Sequence, residues 1–229
     1  MASLYRKWRP QEFSDVCGQE HIKKTIVNAL KNHKVAHAYL FTGPRGTGKT
    51  TMARLLAKAV NCEKVNYKKS QGDLKQYEPC NECASCLEIS AGQSLDVIEI
   101  DAASNRGIEE IRELREKVKF SPIRLAYKVF IIDEVHMLTR EAFNALLKTL
   151  EEPPGHVIFI LATTEVHKVL PTIVSRCQRY DFRRGQINEV RHELKQVAKG
   201  EGLKLDEGAV EVLARMSDGS FRDALSLLD

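Results

Sequence analysis

Eight consecutive residues, Gly43-Pro44-Arg45-Gly46-Thr47-Gly48-Lys49-Thr50, have the types and spacing to hold a polyphosphate. Glycines at 43, 46 and 48 let the backbone turn tightly and aim its N–H groups at one anion. A helix starting where the loop ends adds the partial positive charge of its N-terminus. Lys49 has the reach for the β- and γ-phosphates, and the Thr50 hydroxyl, with Thr51 behind it, is suited to ligate Mg2+. The G-x-x-x-x-G-K-[ST] pattern carries weight only between a strand and a helix. Here the apolar run Ala38-Tyr39-Leu40-Phe41 precedes it and a helical pattern over 51–58 follows it. The segment 43–51 is therefore expected to bind a nucleoside triphosphate.

A second chemical pair lies downstream. Lys128-Val129-Phe130-Ile131-Ile132 runs directly into Asp133-Glu134. A near-continuous apolar run suits a central parallel strand, buried on both faces. Carboxylates at its carboxyl end stand where open α/β sheets bind ligands. Asp133 is placed to hold the water shell of Mg2+, and Glu134 to polarise an attacking water. The next run, residues 157–164, ends in Thr163-Thr164, whose hydroxyls either meet a phosphate or reflect β-propensity alone.

A third cluster is Cys62 with Cys80-x-x-Cys83-x-x-Cys86. Four thiols can supply a tetrahedral Zn2+ shell, one from a helix end and three from a compact knuckle. Iron–sulfur ligation and free thiols are the competing readings. The polar stretch Lys68-Lys69-Ser70-Gln71-Gly72 lies inside this module, and Cys17 and Cys177 stand apart as expected buried apolar thiols.

These residues need a scaffold. Strands expected over 38–41, 96–101, 128–132 and 157–164 alternate with helices over 51–58, 107–118 and 138–152, which predicts a parallel sheet. A helix over 20–30 precedes them, and Pro171 opens another helix. From about residue 185 only helical spacing remains, punctuated by Gly202, Gly208 and Gly219. The pattern stops in mid-helix at Asp229, which reads as a fragment of a longer chain. The expected division is 1–182 for the sheet domain, with a metal module at about 62–86, and 183–229 for a small helical domain. The N-terminal residues Tyr5, Arg6, Trp8 and Arg9 are expected in an extended arm that either stacks on a base or packs on the domain. Arg106, in a loop, is a candidate to meet phosphate or a neighbour.

A length of 229 residues with 43% hydrophobic composition is enough for a full core. No apolar run approaches a membrane span, and no secretory signal precedes the first helix, which predicts a cytoplasmic protein with reduced or metal-bound cysteines. A net charge of +4 permits nucleic-acid contact without demanding it.

Taken together, Leu4-Tyr5-Arg6-Lys7-Trp8-Arg9-Pro10, the phosphate loop, the four cysteines, Ile100-Asp101-Ala102-Ala103-Ser104-Asn105, Asp133-Glu134-Val135-His136-Met137-Leu138, Ser175-Arg176-Cys177 and Gly219-Ser220-Phe221-Arg222-Asp223-Ala224-Leu225 carry a resemblance. The chain resembles the N-terminal ATPase part of the bacterial clamp-loader motor subunits, the tau/gamma family of DNA polymerase III. The cysteines together with the Ser-Arg-Cys box are the specific part of the match; the other pieces are shared with many AAA+ proteins. The resemblance implies an AAA+ P-loop domain with a zinc-knuckle insertion and a helical lid, and ATP as the nucleotide. It implies that Arg176 serves as an arginine finger on the ATP of an adjacent subunit. It also implies that Thr164 and Arg222 sense the γ-phosphate and that Tyr5, Arg9 and the turn at Val16 surround the adenine. The implied partners are other loader subunits in a hetero-oligomeric ring, a sliding clamp, and primer–template DNA held through its phosphates. Polymerase and helicase are implied partners of a further C-terminal region. The assembly transfers nucleotides, but this chain shows no polymerase site. A longer spacer from Cys62 to Cys80 departs from the family pattern. An AAA+ DNA translocase or branch-migration motor, and a stator that does not hydrolyse ATP, are the alternative functions.

Overall fold

The computed structural model describes residues 3–65 and 77–229; the polar stretch at 68–72 lies outside the described residues. Strands β1 (Ala38–Thr42), β2 (Val97–Asp101), β3 (Lys128–Asp133), β4 (Val157–Thr163) and β5 (Gln178–Asp181) form one sheet in the order β2-β3-β4-β1-β5. Every neighbouring pair is parallel. Registers of Thr42 with Thr163 and Asp101 with Asp133 bring the polar strand ends to one edge. β1 lies between β4 and β5, so the chain's strand order reverses beside it, the place where a crevice opens in such sheets.

Ten helices cover the described residues: α1 (Leu4–Lys7), α2 (Glu20–Lys31), α3 (Lys49–Asn61), α4 (Ala84–Ser90), α5 (Ile108–Val118), α6 (Arg140–Glu151), α7 (Pro171–Val174), α8 (Ile187–Gly200), α9 (Glu207–Met216) and α10 (Phe221–Leu228). The strand period of two sorts the sheet's side chains. Tyr39, Phe41, Ile131 and Ile160 face α2 and α3, where Ile22, Ile26, Met52 and Leu55 are buried. Leu40, Phe130, Ile132 and Phe159 face α5 and α6, burying Ile111, Leu114, Phe143 and Leu146. Both faces of the sheet are thus covered, as an all-parallel sheet requires.

Three local differences from expectation have simple causes. β5, Gln-Arg-Tyr-Asp, buries only Tyr180, because it is an edge strand and has no apolar run to announce it. The helix expected over 138–152 starts at Arg140, because Thr139 caps it by accepting the Ala142 N–H at 3.2 Å. The N-terminal arm is not extended: residues 4–7 form α1. That short helix packs away from the sheet, with Leu4 in the core that α8, α9 and α10 build around Val190, Leu194, Val197 and Ala224. Trp8 fixes it there. Its Nε1 donates to Glu201 at 2.6 Å, and a Cβ on Gly200 would sit 2.0 Å from its ring. Among the described residues no helix is long and apolar enough to cross a membrane.

Candidate functional site

A cleft of about 440 Å³ opens at the carboxyl edge of the sheet, between the sheet and the helices that follow it. Its floor is the β1–α3 loop, and the local sequence explains the shape. Gly43, Gly46 and Gly48 hold φ of +141°, +75° and +96°, backbone that glycine alone adopts freely. A Cβ on Gly43 would lie 2.4 Å from the Phe182 carbonyl, and one on Gly46 would lie 2.0 Å from Ser220 Oγ. Phe221 N–H donates to the Gly46 carbonyl at 3.1 Å, so the start of α10 rests on this loop. The loop is therefore a cradle closed from above.

Lys49, the first residue of α3, is buried, and its Nζ donates to the carbonyls of Gly43 and Pro44, both at 2.8 Å. Burial lowers its pKa, while the nearby charges of Glu134 and Asp133 oppose that shift. Thr50 Oγ1 donates to Asp133 Oδ2 at 2.6 Å, joining the loop to the end of β3. A hydroxyl and a carboxylate side by side, next to a glycine-rich turn at the N-terminus of a helix, form a donor set suited to Mg2+ and a triphosphate. Glu134 follows in a left-handed conformation, φ +47°, and its carboxylate accepts the Thr164 N–H at 3.2 Å and the Thr164 hydroxyl at 3.0 Å. His136 Nδ1 stands 3.4 Å from the same carboxylate and 3.0 Å from Thr163 Oγ1.

Of the residues singled out from sequence, the cleft is lined by Tyr5, Arg9, Val16, Arg45, Gly46, Thr47, Gly48, Lys49, Thr50, Thr51, Asp133, Glu134 and Arg222. Gly43 and Pro44 shape the loop without lining it. Arg222 lies over the Tyr5 ring, 4.6 Å from its centroid, which ties α10 to α1 across the cleft mouth. Thr164 sits behind Glu134. Arg176 does not line this cleft; it pairs with Glu151 at 2.5 Å and donates to the Thr172 carbonyl at 2.6 Å. Arg106 donates to the Ala103 carbonyl at 3.0 Å and does not line the cleft either.

The cleft also contains Cys17, expected as an apolar core thiol. It donates to Glu193 Oε2 at 3.0 Å, and burial together with that carboxylate pushes its pKa up to about 12. Burial also raises the pKa of Glu193, a residue of α8 that lines the cleft. No motif marks Glu193, because it belongs to the site only through the docking of α8; Asp101, at the end of β2 beside Asp133, lines the cleft as well. Cys177 is half-buried, and burial pushes its pKa up to about 12.

The other four cysteines converge. The sulfurs of Cys62, Cys80, Cys83 and Cys86 lie within 4.8 Å of one another. Tetrahedral Zn–S bonds of about 2.3 Å place sulfurs about 3.8 Å apart, so the cluster fits one ion. Cys62 caps the end of α3 and Cys83 precedes α4, an element with no forewarning in the sequence pattern. Backbone N–H groups of Cys80 and Cys83 donate to Cys62 Sγ at 3.4 Å and Cys80 Sγ at 3.3 Å, which favours thiolates there. A hydrogen bond from the Cys86 thiol lowers the pKa of Cys62.

Comparison with known proteins agrees with this geometry. A family model described as DNA polymerase III, delta subunit, matches residues 18–186, and one for the ATPase lid domain of DNA polymerase III clamp-loader subunits matches residues 189–229. The chain is 58% identical over 227 residues to DNA polymerase III subunit tau of Bacillus subtilis, covering 99% of this chain and 39% of that one. It is 48% identical over 226 residues to subunit tau of Escherichia coli, covering 99% and 34%. The chain thus spans about two fifths or less of these relatives. In fold it is similar to the RuvB Holliday junction branch migration motor of Thermotoga maritima, with a TM-score of 0.67 at 19% identity, covering 96% of this chain and 63% of that one. It is similar also to a DNA polymerase III gamma subunit-related protein of that organism, with a TM-score of 0.53 at 24% identity over 89% and 56%. With a family match across most of its length, and such relatives along nearly all of it, the chain belongs to the DNA polymerase III clamp-loader subunit family, in the company of its tau and gamma members.

Proposed function

We propose that this chain is the ATP-binding and ATP-hydrolysing part of a clamp-loader motor subunit, which loads a sliding clamp onto primed DNA during replication. The single observation that carries the reading is the Thr50–Asp133 contact, with Glu134 next to it, against a buried lysine in a glycine-rich loop. In this reading the N–H groups of 43–51 and Lys49 hold the phosphates of ATP. Thr50 and Asp133 would hold Mg2+, which supplies charge neutralisation between the β- and γ-phosphates. Glu134 accepts a proton from the attacking water. That requires it to leave Thr164, so Thr164 is read as the residue that senses the γ-phosphate by exchanging partners.

Arg222, on the helix resting against the loop, reports the same event to residues 183–229, which we take as the lid on a sheet domain of residues 1–182. Tyr5, Arg9 and Val16 form the adenine end. Arg176 is read as the finger offered to a neighbouring subunit; its side chain is 33% exposed and salt-bridged at the surface, where another chain has access to it. Cys62, Cys80, Cys83 and Cys86 would hold Zn2+, which supplies a cross-link for a small module. The partners in this reading are other loader subunits in a ring, the clamp, and DNA gripped through its phosphates, all in the cytoplasm. Polymerase and helicase would be met by parts of the full-length protein outside these residues.

The test is steady-state ATP hydrolysis by the full-length protein with its loader partners, adding clamp and primer–template DNA separately and together. Strong stimulation only with both is the expected result. Stimulation by branched or duplex DNA without regard to clamp would favour a translocase, and no turnover under any condition would favour a stator.

A further inference from the structure

Lys58 is a buried cation whose hydrogen-bond partners among the described residues are all neutral. It lies in α3 one turn before Cys62 and is 2% exposed. Its Nζ donates to the Gln11 carbonyl at 3.2 Å, to Gln11 Oε1 at 2.9 Å and to Asn81 Oδ1 at 2.5 Å. A lysine is rarely buried without compensating negative charge. Burial disfavours its charge, and the groups set against that are the Glu12 carboxylate and the cysteine cluster. Four thiolates around a divalent ion carry a net charge of about −2, which would supply that compensation. Asn81, set between Cys80 and Cys83 in a left-handed conformation (φ +58°), links the ammonium to the knuckle.

A separate tie runs beside it. Glu78, two residues before Cys80, accepts the N–H groups of Phe13 at 2.5 Å and Ser14 at 2.9 Å. Both ties end on residues 11–14, a segment anchored by Phe13 at 1% exposure. The residues flanking that segment, Pro10 and Val16, line the nucleotide cleft. The cysteine module and the cleft therefore share a wall.

We propose that Lys58 and Glu78 make the cysteine module a buttress for the cleft wall at residues 10–16, so that metal loading of the four cysteines sets how tightly the cleft holds a nucleotide. The inference rests on the zinc and nucleotide readings above. Removing the metal releases the four cysteines from one another, and with them Glu78 and Asn81 on the same stretch of chain, which loosens the ties to Gln11, Phe13 and Ser14. The supported wall is at the end away from the phosphate loop, so ATP and ADP are affected alike.

The experiment uses the full-length protein, with bound zinc measured by metal analysis and ATP and ADP affinities measured by fluorescent-analogue competition. Zinc stripping and Lys58→Met should each weaken ATP and ADP by a common factor of about ten, with Lys58→Met releasing zinc to a chelator about tenfold faster or more. Lys58→Arg should recover much of both. Glu78→Ala, which leaves Lys58 and the cysteines intact, should weaken both nucleotides while zinc retention stays as in the parent. Circular dichroism establishes that each variant is folded. Unchanged nucleotide affinity in folded, zinc-stripped protein or in Glu78→Ala overturns the coupling. Loss of ATP affinity with ADP affinity untouched overturns the wall mechanism. Parent protein that carries no zinc, or binds no nucleotide, removes the reading beneath and overturns the proposal with it.

Discussion

At one end of the cleft, Gly46 to Thr51 come from one continuous stretch, joined by Asp133 and Glu134 from the end of a single strand. At the other end, Tyr5, Trp8 and Arg9 come from the N-terminus, Val16 and Cys17 from a turn, and Glu193 and Leu225 from helices late in the chain. The first end is made largely by backbone N–H groups and a helix N-terminus, with a few fixed side chains. The second is made by side chains brought together only when α1 docks on α8 and α10. A phosphate recognised by backbone needs a particular local conformation, which a short sequence can dictate. A base recognised by packed side chains needs a particular tertiary arrangement, which no short sequence dictates.

That contrast orders the perturbations. The largest effect is expected from Glu134→Gln, which removes the proposed proton acceptor and leaves the loop intact. Turnover should fall by about 10²–10⁴-fold, on the order of 3–5 kcal/mol, while ATP affinity is retained. Single-turnover hydrolysis beside equilibrium binding checks this, and undiminished hydrolysis would remove Glu134 from the role. Gly46→Ala strikes the place where the two ends meet, since the new Cβ would lie 2.0 Å from Ser220 Oγ on backbone held at φ +75°. A strain of about 1–3 kcal/mol should appear as ATP affinity lower by about five- to a hundredfold in calorimetric titration.

Asp96→Asn sharpens the comparison from outside the cleft. Burial pushes the Asp96 carboxyl up, but the backbone N–H groups of Arg124, Ile123 and Leu125 outweigh it and hold its pKa below the usual carboxylate value. With the folded pKa depressed, its contribution to stability is present above about pH 4, the ordinary range, and is lost as pH falls through the folded value. The asparagine variant should lose about 1–3 kcal/mol in urea melts at pH 7, lose less at low pH, and bind ATP as the parent does. The smallest effect is expected from Tyr5→Ala. It removes the ring beneath Arg222, a single weak contact, so ATP affinity should fall by about two- to fivefold.

Legibility in the sequence follows the same division. The buried strands and the phosphate loop are written in local pattern, and so are Asp133 and the cysteine spacing; each stands in the structure close to where the pattern places it. β5 went unmarked because an edge strand with only Tyr180 inward lacks the apolar run that central strands need. α1 read as an extended arm because four residues show no helical period, and its helix is held by Leu4 in a core made of residues some 190 positions away. Glu193 and Cys17 were missed for the same reason: their meeting at 3.0 Å is a product of the docked lid. Arg176 is a different case. Within one chain it meets Glu151, and the finger role proposed for it depends on a neighbouring subunit, which no local pattern in this chain encodes.

The central claim is that the loop at 43–51 and the end of β3 hold the phosphates of ATP. The most direct test is a calorimetric titration of the full-length protein with ATP in the presence of Mg2+, set beside Lys49→Met. The account predicts saturable binding in the parent, weakened by at least about a hundredfold in the variant, since a charge-assisted contact to each of two phosphates is lost. Equal affinity in the parent and in a folded Lys49→Met protein would contradict it.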